Sequence, residues 1–542
     1  MSTSKDSSAE VFLPETKLPK WGVEDLPEPK RLSWRNWKSF IGPGIVMCGI
    51  QIGGGEWLFG PEITARYGGG LMWIATVAII CQVFYNIECG RYALYTGEPV
   101  FTGFMRHAPG PAFWISMIFL LSFGAFIPGL STHGAAIFAS MILDRPAGVE
   151  DKSLVTGLSF LFLFLVTLPI LIGGKIYNML QVVFTTKVVV VLGFCLIVGL
   201  FFVSAENWAN VFSGFLEFGN VPVKDGAGNE KVVNAFGHFF TTGTWPTVAL
   251  ANIAVLGAFA GYAGGGGLSN STYSYYVRDK GWGMGTNVGA IPSMVGGRRI
   301  SLSHLGKVFP LTVENMRRWK GWWKYIITDQ VFIWGPGCFM GMALPALISI
   351  EFAQFSPLYH HKGKLDWAQA IISADGLHHA PGFSPAMAQF FWIATLLVGL
   401  TVMLPSQMSI VEDVCRKWTD IFWSGSGRVR KSMKPHQVKR IYYSILAFYV
   451  FWSFTCAWLF LTFGEPKLMV LVIANFNNLA LGLTAIMILW TNLRFIPKQL
   501  RPRWFNRIGV ICCAIFYLGL AGLVFVEKQL PQLIGLFSGE GN

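Results

Sequence analysis

Ile41-Gly42-Pro43-Gly44-Ile45-Val46-Met47-Cys48-Gly49-Ile50-Gln51-Ile52 runs straight into Gly53-Gly54-Gly55-Glu56 before the apolar chain resumes at Trp57-Leu58-Phe59. The pattern returns far down the chain, where Ala254 to Tyr262 leads into Gly264-Gly265-Gly266-Gly267-Leu268-Ser269-Asn270-Ser271. A glycine in a helix interior costs about 1 kcal/mol relative to alanine, so runs of three and four argue for an unwound centre. At membrane depth, irregular backbone persists only where it is buried in protein or lines a polar cavity. Close helix packing through small residues is the other use of such a stripe.

The surrounding composition places both runs in a membrane. Of 542 residues, 53% are hydrophobic and only 13% charged, against about 25% charged in a soluble chain. Windowed hydropathy predicts eleven spans, at about 40–64, 69–94, 112–143, 154–173, 175–203, 246–277, 323–350, 385–411, 437–463, 466–493 and 504–527. The net charge of +13 sits in short loops and not in an aromatic-interleaved basic domain, so it reads as a topology signal and excludes nucleic acid as a partner. Arg278 to Lys324 (with Arg298 and Arg299), Arg416 to Arg440 and Arg494 to Arg507 carry the basic clusters, whereas Asp144 to Ser153 and Ser204 to Gly243 carry few. That bias predicts a cytoplasmic N-terminus and an extracytoplasmic C-terminus in a multi-pass cell-membrane protein. Lys224-Asp225-Gly226-Ala227-Gly228-Asn229 reads as a turn in a small extracellular cap. Most cysteines lie inside apolar runs without metal-ligand or disulfide spacing. The polar residues up to about Trp34 and the last dozen are expected to be poorly ordered.

The two glycine runs fall in spans 1 and 6, the first members of two five-span halves. Interruptions at corresponding positions are the sequence pointer to a transporter's midplane site.

The sequence from about 38 to 527 resembles the natural resistance-associated macrophage protein (Nramp) family of divalent-metal transporters. Gly42-Pro43 opens span 1, the interruption follows at the family's distance, and Gly70-Leu71-Met72-Trp73 and Thr96-Gly97 match similar family residues. The resemblance implies an all-α membrane protein with a leucine-transporter-like fold, two inverted five-helix repeats (about 40–203 and 246–493) plus one helix (about 504–527). A cytoplasmic tail (1–37) precedes the transmembrane domain (38–528), and an extracytoplasmic tail (529–542) follows it. The family's Asp-Pro-Gly-Asn motif falls on Gly53-Gly54-Gly55-Glu56, so its metal-binding aspartate becomes Gly53 and its asparagine Glu56. The family's Met-Pro-His falls on Gly266-Gly267-Leu268, which removes the soft thioether and leaves oxygen donors of the kind that suit harder ions such as magnesium. The acidic pair that resembles a proton route is replaced by Pro128 and Ser131, with His133 two residues on.

Glu56, an ionisable residue deep in a span, is a functional-site candidate by default, with capping of the second half-helix as the alternative. Lys187, about twelve residues into span 5, lies too deep to reach an interface and is expected to have an acidic partner, Glu56 or Glu88, or to hold a transported proton. In some amino-acid transporters of the same fold a lysine there replaces sodium. Asn475 falls where the family has a polar span 10 residue near the ion, followed by Asn477 and Asn478; a structural interhelical bond is the alternative. Ser269, Asn270, Ser271 and Thr272 open the second half of span 6, either as a cap or as donors to an anionic group. Tyr262 and Trp57 flank the breaks as pocket or packing aromatics. His133 is a proton relay or a hydrogen-bonded core residue. Glu88 and Arg91 read as a structural pair, and Glu412, Asp413, Arg416 and Lys417 as interface charge.

No phosphate-binding glycine loop, nucleophile elbow or zinc helix motif occurs, so no enzyme and no cofactor is expected. The expected function is secondary transport of a divalent metal through a sulfur-free site of Glu56, Asn475 and the carbonyls of Gly53, Gly54, Gly55, Gly264, Gly265, Gly266 and Gly267. The alternative is a proton-coupled carrier of a small organic solute. A transport-inactive sensor is a third possibility.

Overall fold

The computed structural model describes residues 11–31, 42–171, 176–224, 230–292, 300–360 and 366–531. Eight of the expected spans are continuous helices long and apolar enough to cross a membrane: Trp73–Thr96, Val149–Leu171, Ile176–Phe202, Val313–Phe355, Pro385–Gly425, Pro435–Phe463, Pro466–Phe495 and Trp504–Gln529. Of the eleven expected spans, these eight are continuous among the described residues, and those expected at 1, 3 and 6 are helical in pieces. Span 8 is a single α-helix, and its 41 residues reach about 60 Å, twice a bilayer core of about 30 Å.

Span 1 consists of an α-helix over Pro43–Gln51, a π-helical turn over Gly54–Phe59 and a second α-helix over Gly60–Tyr67. The break is thus narrower than three glycines suggest, because Gly54 and Gly55 already belong to the π turn. Gly55 is small for another reason: an added Cβ would stand 2.5 Å from the carbonyl oxygen of Tyr262. Span 6 is broken more widely. Ile253–Tyr262 ends before Gly264 (φ +86°) and Gly266 (φ +67°), and the helix resumes at Thr272–Lys280. Only glycine takes those left-handed angles without strain. Span 3, read as one helix from sequence, divides into Pro111–Leu121 and Gly129–Leu143, with Pro128 preceding the second piece. Proline has no amide hydrogen to continue the ladder.

The broken helices cross each other at the centre, and span 10 packs on span 6, where a methyl on Gly261 would meet the carbonyl of Ala474 at 2.5 Å. Span 5 closes the other flank: Gly49 lies against Phe184 so tightly that a Cβ would sit 2.5 Å from the phenylalanine Cβ.

One expectation about the ends changes, and the long loop gains detail. Residues 11–31 are packed on the body: Leu18, Trp21 and Leu26 are buried, and Gly22–Val23 pairs in parallel with Lys307–Val308. Trp21 lies over the Arg106 guanidinium at 4.2 Å, so apolar residues scattered through a polar stretch are enough to dock it. The Ser204 to Gly243 connection contains a hairpin, Asn220–Lys224 with Glu230–Asn234, flanked by helices Ala205–Gly214 and Ala235–Thr242. The predicted turn residues Asp225 to Asn229, the basic residues Arg298 and Arg299, and the final residues 532–542 lie outside the described residues.

Candidate functional site

The site is built where the two breaks meet. At Gly53 the backbone leaves helical geometry, and its N–H donates to Glu56 Oε2 at 3.0 Å. Glu56 is fully buried, its Oε1 has no hydrogen-bond partner among the described residues, and it sits against the Gly264 backbone of the second break. One carboxylate therefore closes the first break and faces the second. Capping and functional readings of Glu56 are compatible, because one oxygen caps and the other is free.

The second break is held by a residue that the sequence reading passed over. Gln82, from span 2, accepts from Gly265 N–H at 2.7 Å and from Asn270 Nδ2 at 2.9 Å, and donates to the Ala263 carbonyl at 2.7 Å. A lone glutamine in the apolar run Ile79-Ile80-Cys81-Gln82-Val83 was the available signal. Of the four polar residues opening the second half of span 6, three bond within the protein: Asn270 through its Nδ2 to Gln82, Ser271 to Tyr85 at 2.6 Å, and Thr272 to Asp413. Ser269 lines the cavity.

A cavity of about 60 Å³ lies between the breaks, bounded by Gln51, Gly53, Gly264, Gly265, Ser409 and Asn477. Since about 10–15 Å³ of such volume holds one water, it has room for a few waters or a small polar group. Of the residues lining it, Gln51 (Nε2) and Tyr262 (OH) have polar atoms buried without a partner among the described residues; Glu56 Oε1 and Asn270 Oδ1, behind the lining residues Gly53 and Gly265, are likewise unpaired. Buried polar atoms rarely stay unsatisfied, and these four groups place both donors and acceptors at the breaks.

Lys187 meets the site from behind. Buried in span 5, it donates from Nζ to Ser406 Oγ at 2.5 Å, and Ser406 Oγ in turn lies 3.4 Å from the Ile52 carbonyl. A Cβ on Gly53 would stand 2.9 Å from that same Oγ. The expected acidic partner is not there: among the described residues no carboxylate lies within ion-pair distance of Lys187, and Glu88 is engaged bidentately by Arg91 at 2.8 and 3.0 Å. The ammonium is solvated by a hydroxyl at the span 1 break instead.

Three expected residues fall elsewhere. Asn475 donates to the Leu471 carbonyl at 2.9 Å and lines a separate cleft beside span 11; Asn477 is the span 10 residue at the break. His133 is buried with Nδ1 2.9 Å from the Gly129 carbonyl and does not line the cavity. Trp57 donates to the Ala370 carbonyl at 3.2 Å and packs away from the solute space, while Tyr262 lines it.

The charges at the end of span 8, read as interface charge, are buried. Arg278 bridges Asp420 (2.6 and 3.0 Å) and Asp279 (2.8 Å); Arg416 joins Asp279 to Glu412; Lys417 pairs with Asp413. This network locks the second half of span 6 to span 8, and its Asp413 reaches the cavity wall. The i, i+4 acid–base spacing was legible; its burial against span 6 was not.

No group of three or more histidine, cysteine or acidic side chains that would hold a metal occurs among the described residues. No family model matches the chain, and no curated protein matches its sequence. Solved structures do. A manganese transporter of Eremococcus coleocola, in complex with an aromatic bis-isothiourea substituted compound, aligns with a TM-score of 0.58 and 11% identity over 94% of each chain. MhsT in complex with L-phenylalanine aligns with a TM-score of 0.51 and 13% identity, over 92% of this chain and 99% of that one. Together with the membrane-length helices and the paired breaks, these likenesses establish an all-α membrane protein of leucine-transporter-like fold.

Proposed function

We propose that the chain is a secondary transporter, working by alternating access about the breaks in spans 1 and 6 and binding a small polar organic solute in the cavity between them. The observation that carries this reading is Lys187 Nζ held at the first break through Ser406. Lys187 and Glu56 give the breaks one basic and one acidic group. When protonated, Lys187 also opposes a dication at the breaks, since like charges repel strongly in a buried site. In this reading Glu56 Oε1 and the unpaired Gln51, Asn270 and Tyr262 atoms bond the solute. Gly53, Gly54, Gly264 and Gly265 let backbone groups approach it, and Lys187 stands in for a coupling cation or carries the coupled proton.

A second reading, a divalent metal as cargo, is favoured by the small cavity and by the manganese transporter among the structural neighbours. Its ligands would be Glu56, the carbonyls at the breaks and Asn477 in place of Asn475. The basic loops support an N-terminus inside and a C-terminus outside for either cargo.

A thermal-shift screen of amino acids, small carboxylic acids, magnesium and manganese on purified protein, followed by proteoliposome uptake of any hit, separates them. An organic ligand whose stabilisation disappears in Glu56→Gln supports the first reading. A metal that stabilises the parent but not Glu56→Gln, and enters liposomes, replaces it with the second.

A further inference from the structure

A cavity of about 590 Å³ lies far from the breaks, between the start of span 7 and the connection from span 10 to span 11. Four cations line it, Arg91, Lys320, Arg501 and Arg503, and no carboxylate does. Arg91 is neutralised by Glu88 and lies over the Trp323 ring at 4.1 Å. For Lys320, Arg501 and Arg503 no carboxylate lies within ion-pair distance among the described residues. Three uncompensated positive charges thus share one concave, aromatic-walled space.

Two further features define the occupant. Span 11 begins at Trp504, on the rim of this cavity, and runs for 21 residues; no side chain caps its first N–H groups, which therefore add partial positive charge. From the rim, Trp504, Ile508, Ile511 and Ile515, between 48% and 71% exposed, form one continuous stripe along the helix. Their spacing of four, three and four residues keeps them on one face. A phosphate group seated among guanidiniums would leave acyl chains running along that stripe into the bilayer, whereas a soluble anion would have no use for it. Basic pockets between membrane helices take anionic lipid head groups by this chemistry, and guanidinium groups bind phosphate oxygens bidentately.

We propose that this cavity binds the head group of an anionic glycerophospholipid, with Lys320, Arg501 and Arg503 on the phosphate and the span 11 stripe under an acyl chain. It is separate from the solute site and does not depend on how that site is read.

The test is native mass spectrometry and thermal shift on the purified full chain in detergent, titrated with phosphatidylglycerol, phosphatidylcholine or inorganic phosphate. Phosphatidylglycerol is expected to be retained in preference to phosphatidylcholine, and the double variant Arg501→Ala/Arg503→Ala to lose at least tenfold in apparent affinity for it. The control Arg428→Ala/Lys431→Ala removes two exposed charges elsewhere and is expected to keep the preference. Melting of each variant in phosphatidylcholine micelles confirms that it is folded, and Lys320→Ala is the substitute if the double variant is not. Equal retention of the two lipids, equal loss in the control pair, or inorganic phosphate displacing phosphatidylglycerol at matched concentration would each overturn the assignment.

Discussion

Replacing Gly55 with alanine tests whether the two breaks are in contact as described. In an ordinary exposed helix the substitution stabilises by about 1 kcal/mol. Here the new Cβ would stand 2.5 Å from the Tyr262 carbonyl oxygen and 2.7 Å from its carbon, both backbone atoms that cannot rotate away. Overpacking a filled interior costs about 1–3 kcal/mol; separating two main chains belongs at the upper end, so the net change is a loss of about 2 kcal/mol. Gly157, in the middle of span 4, is the internal standard, since a Cβ there meets nothing within 4 Å and alanine should add about 1 kcal/mol. The opposite signs matter more than the sizes, because a many-span protein does not melt in two states. Thermal melting in detergent should rank Gly157→Ala above the parent and Gly55→Ala below it, with the latter also losing ligand-induced stabilisation. A Gly55→Ala protein that melts with Gly157→Ala would refute the crossing of spans 1 and 6 at this point.

Arg416→Ala removes the buried cation that pairs with Glu412 and shares Asp279 with Arg278, a loss of about 3–5 kcal/mol, and should depress the melting temperature far more than Arg428→Ala at an exposed position; equal effects would disprove the burial of the span 6–span 8 network. Asp329 accepts from the Gly44 N–H at 2.9 Å and from Tyr273 OH at 2.8 Å, so Asp329→Asn, which turns one acceptor into a donor, should cost about 1–3 kcal/mol in the same assay, and an unchanged melting curve would contradict the bridge. Between spans 2 and 3, burial pushes the Glu98 carboxyl up, but Arg106 outweighs it and holds the group below the usual carboxylate range. Its stabilising contribution is therefore complete above the ordinary carboxylate pKa of about 4.3 and is lost as pH falls through the depressed folded value. Because Arg106 also holds the Pro19 carbonyl at 2.9 Å, acidification should expose residues 11–31 to an acid-active protease. Glu98→Gln should expose them at neutral pH, and continued protection of that variant would argue against the link.

The fold was legible because its clearest sign is local. Runs of glycine in an apolar helix have few uses, and two runs at matching places in two halves left little choice of architecture. The residues of the breaks themselves, Gly53, Glu56, Gly264 and Gly265, share that legibility as features of the fold. What the sequence left open depended on rotation and on distant partners. Asn475 and Asn477 differ by two residues, which on a helix is about 200°, enough to turn one to the break and the other to span 11. Lys187 was recognisable as a buried cation, but only the fold reveals that its partner is the Ser406 hydroxyl, 219 residues away. Gln82 has no motif, and its role exists only once span 6 is unwound beside it. The buried charge of span 8 has the spacing of a surface ladder, and nothing in that spacing encodes the second half of span 6 lying over it.

The central claim, a solute site alternately reached from the two sides, is tested most directly at Ser409, a buried residue on the cavity wall. In oriented proteoliposomes carrying Ser409→Cys, labelling at that position by a membrane-impermeant thiol reagent is read by peptide mass spectrometry with the reagent inside or outside. The account predicts labelling from each side, with a bound solute or an imposed gradient shifting reactivity from one side to the other and Glu56→Gln abolishing the shift. Reactivity from one side only, unmoved by any solute or gradient, would contradict it.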